Sequence, residues 1–339
     1  MRQTNIEVLR PLAMLFITLS HWGGHGSWGG LGSSFLLNDA YLQYTQYLGE
    51  LGNCIFILIT GYFCSTRSEL KIGSLKRVIL DVKLYAFLTW LFAILIGIVV
   101  FSWKQFLCAS FPVIRTQYWF ILPYLVVFLV SPLINRFLKT PRKVLLLFIL
   151  YAIAGGAIFC IHTFMYVKFI WIFFIWYSIG GLMRQYNIID KIKSIYIVLL
   201  LSVVLLSYLY IVFADYLFIH NGVNIVPQNS FFWRFSPAPI LGGAGIMFLF
   251  MKHNFQNELI NVACSSAFSV YLISENPIMH PWLWKIEYID NVYWTDTLYL
   301  IPGSLIICLF VMAVCMGVDY SLKTCFHRTK ALMANVIRK

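Results

Sequence analysis

Charged residues are scarce in this chain, and acidic residues are the scarcest. Only 11% of the 339 residues are Asp, Glu, Lys or Arg, whereas soluble domains carry about 25%. Hydrophobic residues make up 60% of the sequence, and the mean hydropathy is +0.80. This composition excludes a soluble globular protein and predicts an all-α, polytopic membrane bundle.

Several common sequence signals are also missing. The eight cysteines lie mostly in apolar runs and form no C-x-x-C pair, which argues against a disulfide framework and a zinc site. The apolar N-terminal stretch is interrupted by Glu7 and Arg10 and lacks an A-x-A cleavage site, so we interpret it as a retained span. The glycine-rich segment 23–34 has no P-loop lysine and is predicted to be an outer loop.

Apolar runs predict about ten transmembrane helices, since a helix of roughly 20 residues crosses a hydrocarbon core of about 30 Å. We expect one membrane domain over 1–322 and a basic cytoplasmic tail over 323–339. The predicted spans are 5–22, 44–65, 78–101, 118–134, 144–162, 169–186, 195–214, 237–252, 263–282 and 297–319.

The basic residues support this topology. The net charge is +12, but Lys and Arg occur in short clusters between apolar runs, which disfavours a nucleic-acid surface. With the N-terminus in the cytoplasm, 18 basic residues fall in inner segments and 5 in outer loops. This asymmetry follows the positive-inside rule and predicts that both termini are cytoplasmic.

The first predicted span contains Glu7, Arg10 and His21 in an otherwise apolar helix. Arg10 and His21 are eleven residues apart, so they project from one helix face about 16 Å apart, and Glu7 can pair with Arg10. Ionisable groups inside a membrane are usually functional. The alternative is a structural Glu7–Arg10 pair and a histidine in the outer headgroup region.

Other polar residues within predicted spans are expected to face a shared cavity, because they would be costly against lipid. They are Glu50, Asn53, Lys83, Glu275 and Asn276. Hydrogen bonding between helices is an equally good explanation for some of them.

Four segments, in order, resemble motifs of a known family, the membrane-bound acyltransferase family three. EVLRPLA at 7–13 is similar to the family's Asp-x-Leu-Arg-x-x-Ala opening, with Glu7 for Asp. His21 follows Arg10 after ten residues, as the family's essential histidine does. The other similar segments are IFILITGYF at 55–63, YWFI at 118–121 and VYLI at 270–273.

Two features depart from the family pattern. Many relatives carry His after Tyr-Leu-Ile, but this chain has Ser274 followed by Glu275, so a role for a late histidine is not carried over. The family's inner Arg-x-x-Arg motif is represented by Lys76 and Arg77 without a second Arg, and Lys83 is a candidate substitute.

The resemblance implies transfer of an acyl group from acetyl-CoA or another acyl-CoA to a hydroxyl of a cell-surface or lipid-linked glycan, in the bacterial cytoplasmic membrane. His21 would be the general base, and Arg10, paired with Glu7, would bind the donor or stabilise negative charge. We expect donor phosphates at Lys76, Arg77 and Lys83. The predicted substrate cavity comprises Glu50, Asn53, Trp119, Tyr271 and Glu275.

No permanently bound cofactor is expected. His21 and His25 resemble half of a metal site, but no acidic or cysteine ligand stands close in sequence, so a metal is disfavoured. The remaining histidines are interpreted as interfacial or solvated; they are His162, His220, His253, His280 and His327.

A transporter or flippase for polysaccharide or lipid-linked sugar is the main alternative function. In that case the charged residues would line a substrate path, and the prolines and glycines of 237–245 would mark a broken helix.

Overall fold

The fold consists of helices and their connections. A computed structural model describes residues 3–31, 35–113, 118–160, 164–223, 230–253 and 255–337, and the side chains of 230, 231 and 326–337 are left out of the description. The described residues contain no strand, and 78% of the chain is helical. The predicted all-α class is confirmed.

Sixteen α-helices and one 3₁₀ turn are found in the described residues. They are α1 Thr4–Glu7, α2 Leu9–His25, α3 Leu36–Cys64, α4 Ile72–Leu95, α5 Trp103–Ser110, α6 Ile121–Phe137, α7 Pro141–Cys160, α8 Met165–Gln185, α9 Ile188–Lys191, α10 Ser194–Asn221, α11 Ser230–Phe235, α12 Ala238–Met251, α13 Glu258–Cys264, α14 Ala267–Ser274, α15 His280–Leu283, the 3₁₀ turn Asn291–Tyr293, and α16 Leu300–Ile337.

Six of these helices are long and apolar enough to cross a membrane: α3, α4, α7, α8, α10 and α16. Shorter apolar helices, α6, α12 and the pair α13–α14, overlap three further predicted spans, and α2 overlaps the first. The count of ten spans, the cytoplasmic location of the termini and the domain limits stay predictions. His162 and Arg115 lie outside the described residues.

Helix α3 is the centre of the bundle. Of its most apolar stretch, 83% is buried, against 17% for α7 and 22% for α10. It packs against α2, α8, α10 and α12. Gly61 of α3 and Gly180 of α8 each lie against the other helix's backbone carbonyl, at Tyr177 and Leu58, so a side chain at either glycine would force the helices apart. Small residues commonly permit such close approach in membrane bundles.

The first span is interrupted once, at Val8 between α1 and α2. Pro11 lies in the first turn of α2, where backbone N–H groups have no partner within the helix. The proline therefore does not disturb the rest of α2, which runs unbroken to His25. Gly52 of α3 faces the Ala13 carbonyl, so α2 lies close against the central helix.

The ninth predicted span, 263–282, is wrong as a single helix. The chain turns at Ser265 and Ser266 between α13 and α14, and α14 ends at Ser274. Pro277 disfavours helical geometry in the residue before it, and the Asn276 side-chain oxygen accepts a hydrogen bond from the Ile278 N–H at 2.9 Å. The segment 275–299 is therefore built of short turns rather than a spanning helix.

Two other regions differ from the sequence interpretation. Helix α12 is continuous from Ala238, with Pro239 in its first turn; the interruption lies just before it, at Ser236 and Pro237, between α11 and α12. Helix α16 runs to Ile337, so the predicted tail begins as a continuation of the last helix, and Arg338 and Lys339 lie outside the described residues.

Glu50 and Arg234 form a buried ion pair that joins α3 to α11. The Arg234 Nε and Nη2 atoms lie 2.9 and 2.5 Å from the two carboxylate oxygens of Glu50. The guanidinium carbon lies 4.0 Å from the ring centre of Trp119 and 4.2 Å from that of Phe169. The predicted spans 195–214 and 237–252 place Arg234 in an outer loop, but its side chain is buried.

Breaking this ion pair should destabilise the fold. Removing one partner of a buried ion pair leaves the other charge unpaired, at a cost of about 3–5 kcal/mol. We expect Glu50→Gln to lower the unfolding temperature of the detergent-solubilised protein clearly, whereas Glu69→Gln, at an exposed position, should leave it nearly unchanged. Equal unfolding temperatures for the two variants would contradict a structural role for the pair.

Candidate active site

Helix α2 turns one stripe of side chains toward the protein interior. Met14 and Ile17 lie between Arg10 and His21 at helical spacing, and they are 2% and 4% exposed. They contact the bundle rather than lipid. The helix therefore carries an ionisable group at each end of a buried stripe.

At one end of the stripe, Arg10 Nε donates to Glu7 Oε2 at 3.0 Å. Arg10, Arg67 and Lys71 all lie within electrostatic range of Cys64, at the end of α3. Three cations thus gather at the side of the bundle predicted to face the cytosol. Glu7 offsets one of these charges.

At the other end, His21 meets Glu275 from the segment that follows α14. His21 Nδ1 lies 3.3 Å from Glu275 Oε1, and His25 Nε2 lies 3.0 Å from the same oxygen. The His280 ring stacks on His25 with 4.4 Å between ring centres. We call these four side chains the His–Glu cluster: His21, His25, Glu275 and His280.

The polar atoms of the His–Glu cluster are incompletely satisfied. His21 Nδ1, Glu275 Oε1 and His280 Nδ1 are buried and have no hydrogen-bond partner of good geometry within the described part of the chain. Buried polar atoms are nearly always paired, and exceptions occur where a site acts on a ligand. The cluster places imidazole nitrogens within reach of a buried carboxylate, which is an arrangement able to transfer protons.

A hydrogen-bond chain fixes the turn that carries Glu275. Buried Tyr118 donates to the Leu272 carbonyl at 2.8 Å and accepts from Asn276 Nδ2 at 3.0 Å. The backbone carbonyl of Asn276 accepts hydrogen bonds from the backbone N–H groups of Met279 and His280, both at 2.9 Å. Asn276 therefore joins the end of α14 to the start of α15 and sets the positions of Glu275 and His280 together.

The space between the two ends of the stripe is narrow. Met14 and Ile17 face Asn53, Phe56, Phe120, Phe268 and Tyr271 across a gap that admits about one water molecule. Tyr271 also approaches His21, with 6.2 Å between ring centres. Of the predicted cavity residues, Asn53, Tyr271 and Glu275 therefore lie along the stripe or at its end.

Other predicted residues lie elsewhere. Glu50 and Trp119 both contact Arg234. Lys76, Arg77 and Lys83 are exposed along α4, and the Lys83 ammonium lies 5.7 Å from the Phe111 ring centre. No contact joins these three cations to the His–Glu cluster among the described residues. Their role toward a donor stays a prediction.

Sequence reasoning missed His25 and His280 as members of the site. His25 was interpreted as half of a metal-like pair lacking an acid, and the structure supplies Glu275 from a position 250 residues away. His280 was interpreted as interfacial. The one available signal was Glu275 itself, an acidic residue within an apolar span. The described residues include no set of three His, Cys, Asp or Glu side chains arranged to hold a metal.

Comparison with known proteins identifies the family of the chain. No curated protein and no solved structure matches the chain. A family model described as an acyltransferase domain, that of acyltransferase family 3, matches residues 3–319 and so includes Arg10, the His–Glu cluster and every predicted span. The chain is a membrane protein that belongs to acyltransferase family 3.

Proposed function

We propose that the protein is an O-acyltransferase that moves an acyl group, in the first instance acetyl, from acyl-CoA to a hydroxyl of a cell-surface or lipid-linked glycan. The observation that carries this proposal is the contact between His21 and Glu275 at the end of the buried α2 stripe. An imidazole beside a carboxylate is the usual arrangement of a general base that must become positively charged during the reaction.

His21 would take the proton of the acceptor hydroxyl. Its Nδ1 atom faces Glu275, so a proton held there leaves the Nε2 lone pair free for the acceptor. The acceptor oxygen attacks the thioester carbonyl, the carbon–sulfur bond breaks, and the CoA thiolate takes the proton back from His21. The products are an ester and free CoA, and Glu275 stabilises the imidazolium in between.

The donor would approach from the end of α2 that carries Arg10. Arg10, Arg67 and Lys71 supply positive charge there, and Lys76, Arg77 and Lys83 are the further candidates for the phosphates of CoA. Arg10 and His21 are separated by about 16 Å of helix. The acyl-bearing arm of the donor would therefore lie along the stripe.

Acyl transfer requires the gap beside this stripe to widen. The gap beside Met14 and Ile17 is too narrow for an acyl chain in this structure. Met14 has an unbranched, adaptable side chain, which suits a position that must move aside. We infer that donor binding displaces Met14 and the facing aromatic rings.

Removing His21 should abolish transfer. General acid–base catalysis contributes about 10²–10⁴-fold, so we expect His21→Ala to lose at least that much acetyl transfer from labelled acetyl-CoA by the full-length protein in proteoliposomes. The surface glycans of cells carrying the variant should lose the mass of one acyl group. His220→Ala is the matched control, because His220 is exposed and its ring nitrogen contacts the Tyr216 carbonyl of its own helix. A fully active His21→Ala protein with a normal unfolding temperature would overturn the proposal.

Glu275 should act through His21 rather than through the donor. Glu275→Gln keeps the shape of the side chain but cannot stabilise an imidazolium, so we expect kcat to fall about 100-fold or more with little change in KM for acetyl-CoA. Glu258→Gln, an exposed change at the start of α13, provides the comparison. A large rise in KM with unchanged kcat would place Glu275 in substrate binding instead.

The exposed pair Lys76 and Arg77 should affect donor affinity. If it holds CoA phosphates, we expect the double variant Lys76→Ala/Arg77→Ala to raise KM for acetyl-CoA about tenfold, since exposed charge pairs contribute up to about 1 kcal/mol each and about 1.4 kcal/mol corresponds to a factor of ten. The double variant Arg142→Ala/Lys143→Ala removes the same charges from an exposed position on α7. Equal effects of the two double variants would show that general positive charge, not a phosphate site, is responsible.

A further inference from the structure

A deep apolar groove lies directly behind the segment that carries Glu275 and His280. Its volume is about 470 Å³, within the range of about 300–1,000 Å³ for pockets that hold small ligands. Helices α4 and α16 form two walls, through Phe92, Val311 and Val314 among others, and the segment 273–289 forms the third.

The hydroxyl groups that line the groove are already hydrogen-bonded within the protein. Only two of the lining residues, Tyr85 and Thr89, carry hydroxyls. The Tyr85 hydroxyl donates to Asp319, and the Thr89 hydroxyl donates to the Tyr85 carbonyl at 2.6 Å. The mostly apolar lining therefore favours a ligand that is hydrocarbon along its buried length.

The groove and the His–Glu cluster share one wall. Ile273 and Met279 line the groove, while Glu275 and His280, close by in the same segment, belong to the cluster. At Ile289, another lining residue, the backbone carbonyl accepts a hydrogen bond from Trp22 Nε1 at 2.6 Å. Trp22 directly follows His21, so this end of the groove is joined to the end of α2 that carries the base.

We propose that this groove holds the single hydrocarbon chain of a membrane amphiphile whose headgroup carries the acceptor hydroxyl. This inference rests on the proposed function and narrows its acceptor to a lipid-linked one. The chain would lie between α4 and α16, and the headgroup would emerge beside Ile289 and reach the His–Glu cluster around the shared wall.

The position of the groove indicates a lipid chain as its occupant. Its α16 wall reaches the outer surface of the bundle, where Phe310 and Val314 are 62% and 50% exposed, so hydrocarbon chains of the membrane have direct access to it. A single alkyl chain is thin enough to extend along the groove. Because lipid tails are as apolar as the groove, the gain on binding comes from orientation of the headgroup rather than from the hydrophobic effect.

Photolabelling of the full-length protein in nanodiscs tests occupancy without using activity. The probe is octadecyl β-glucoside with a diazirine near the end of its chain, and the labelled residues are mapped by mass spectrometry. We expect labels at Phe92, Val311 and Val314 that fall several-fold when a tenfold excess of unlabelled octadecyl β-glucoside is added. Labelling spread over all lipid-facing helices and unaffected by competitor would show ordinary lipid contact and overturn the proposal.

A matched pair of variants tests the link to acyl transfer. Val314→Trp places a bulky ring in the groove, whereas Val198→Trp makes the same change on α10, outside the groove; the two valines are 50% and 59% exposed. We expect Val314→Trp to abolish competed labelling and to raise KM for a long-chain glycoside acceptor about fivefold or more, while a methyl glycoside and the Val198→Trp protein behave as wild type.

The two proposals fail in different ways. Wild-type protein that shows competed labelling but transfers acetyl to no acceptor would refute the acyltransferase function and leave the hydrocarbon site standing. Protein that transfers acetyl equally well to long-chain and methyl glycosides, with no competed labelling, would refute the groove alone.

Discussion

The contact of one carboxylate with two imidazoles is the constraint on which the rest of the site depends. Glu275 Oε1 lies within 3.3 Å of His21 Nδ1 and 3.0 Å of His25 Nε2. A carboxylate within a membrane bundle is costly unless it faces partners or a polar cavity. Helix α14 must therefore end before it, and the chain must turn so that the carboxylate meets the end of α2 rather than lipid. Tyr118 and Asn276 fix that turn through hydrogen bonds to the backbone.

This contact explains why the ninth predicted span is interrupted. In a spanning helix of normal geometry, Glu275 and His280 would lie on helix faces set only by their spacing. The interruption after Ser274 lets both side chains approach α2 together, while Ile273 and Met279 turn to the opposite side of the same segment. Irregular backbone at membrane depth is tolerated where it is buried in protein or lines a cavity. Here one short irregular segment contributes residues both to the His–Glu cluster and to the apolar groove.

The sequence predicted the local features of the site better than its long-range contacts. The spacing of Arg10 and His21 and the pairing of Glu7 with Arg10 follow from helical periodicity alone, because all three residues lie on one span. Which residues contact Glu275 depends on how separate helices pack together. The periodicity of a single span does not encode those contacts. The same holds for Glu50, whose partner Arg234 lies 184 residues away and was expected in an outer loop. The apolar runs predicted where the spans lie. The predicted length of the ninth span was wrong, because Pro277 and the Asn276 side chain end the helix although the following residues are mostly apolar.

In the proposed reaction, a base at one end of the buried stripe would keep the two substrates apart in space. The cations near Cys64 lie at the Arg10 end of α2, and the His–Glu cluster lies at the other, so a donor and an acceptor can reach the base from opposite sides of the bundle. The narrow gap beside Met14 is consistent with this division, because an open path would connect the two sides and admit water to the thioester. Close packing of α2 on α3 through Gly52 holds the helix in place, so opening must come from side chains rather than from movement of the helix. The adaptable Met14 and the aromatic rings of Phe120 and Phe268 are the elements in this structure that can provide it.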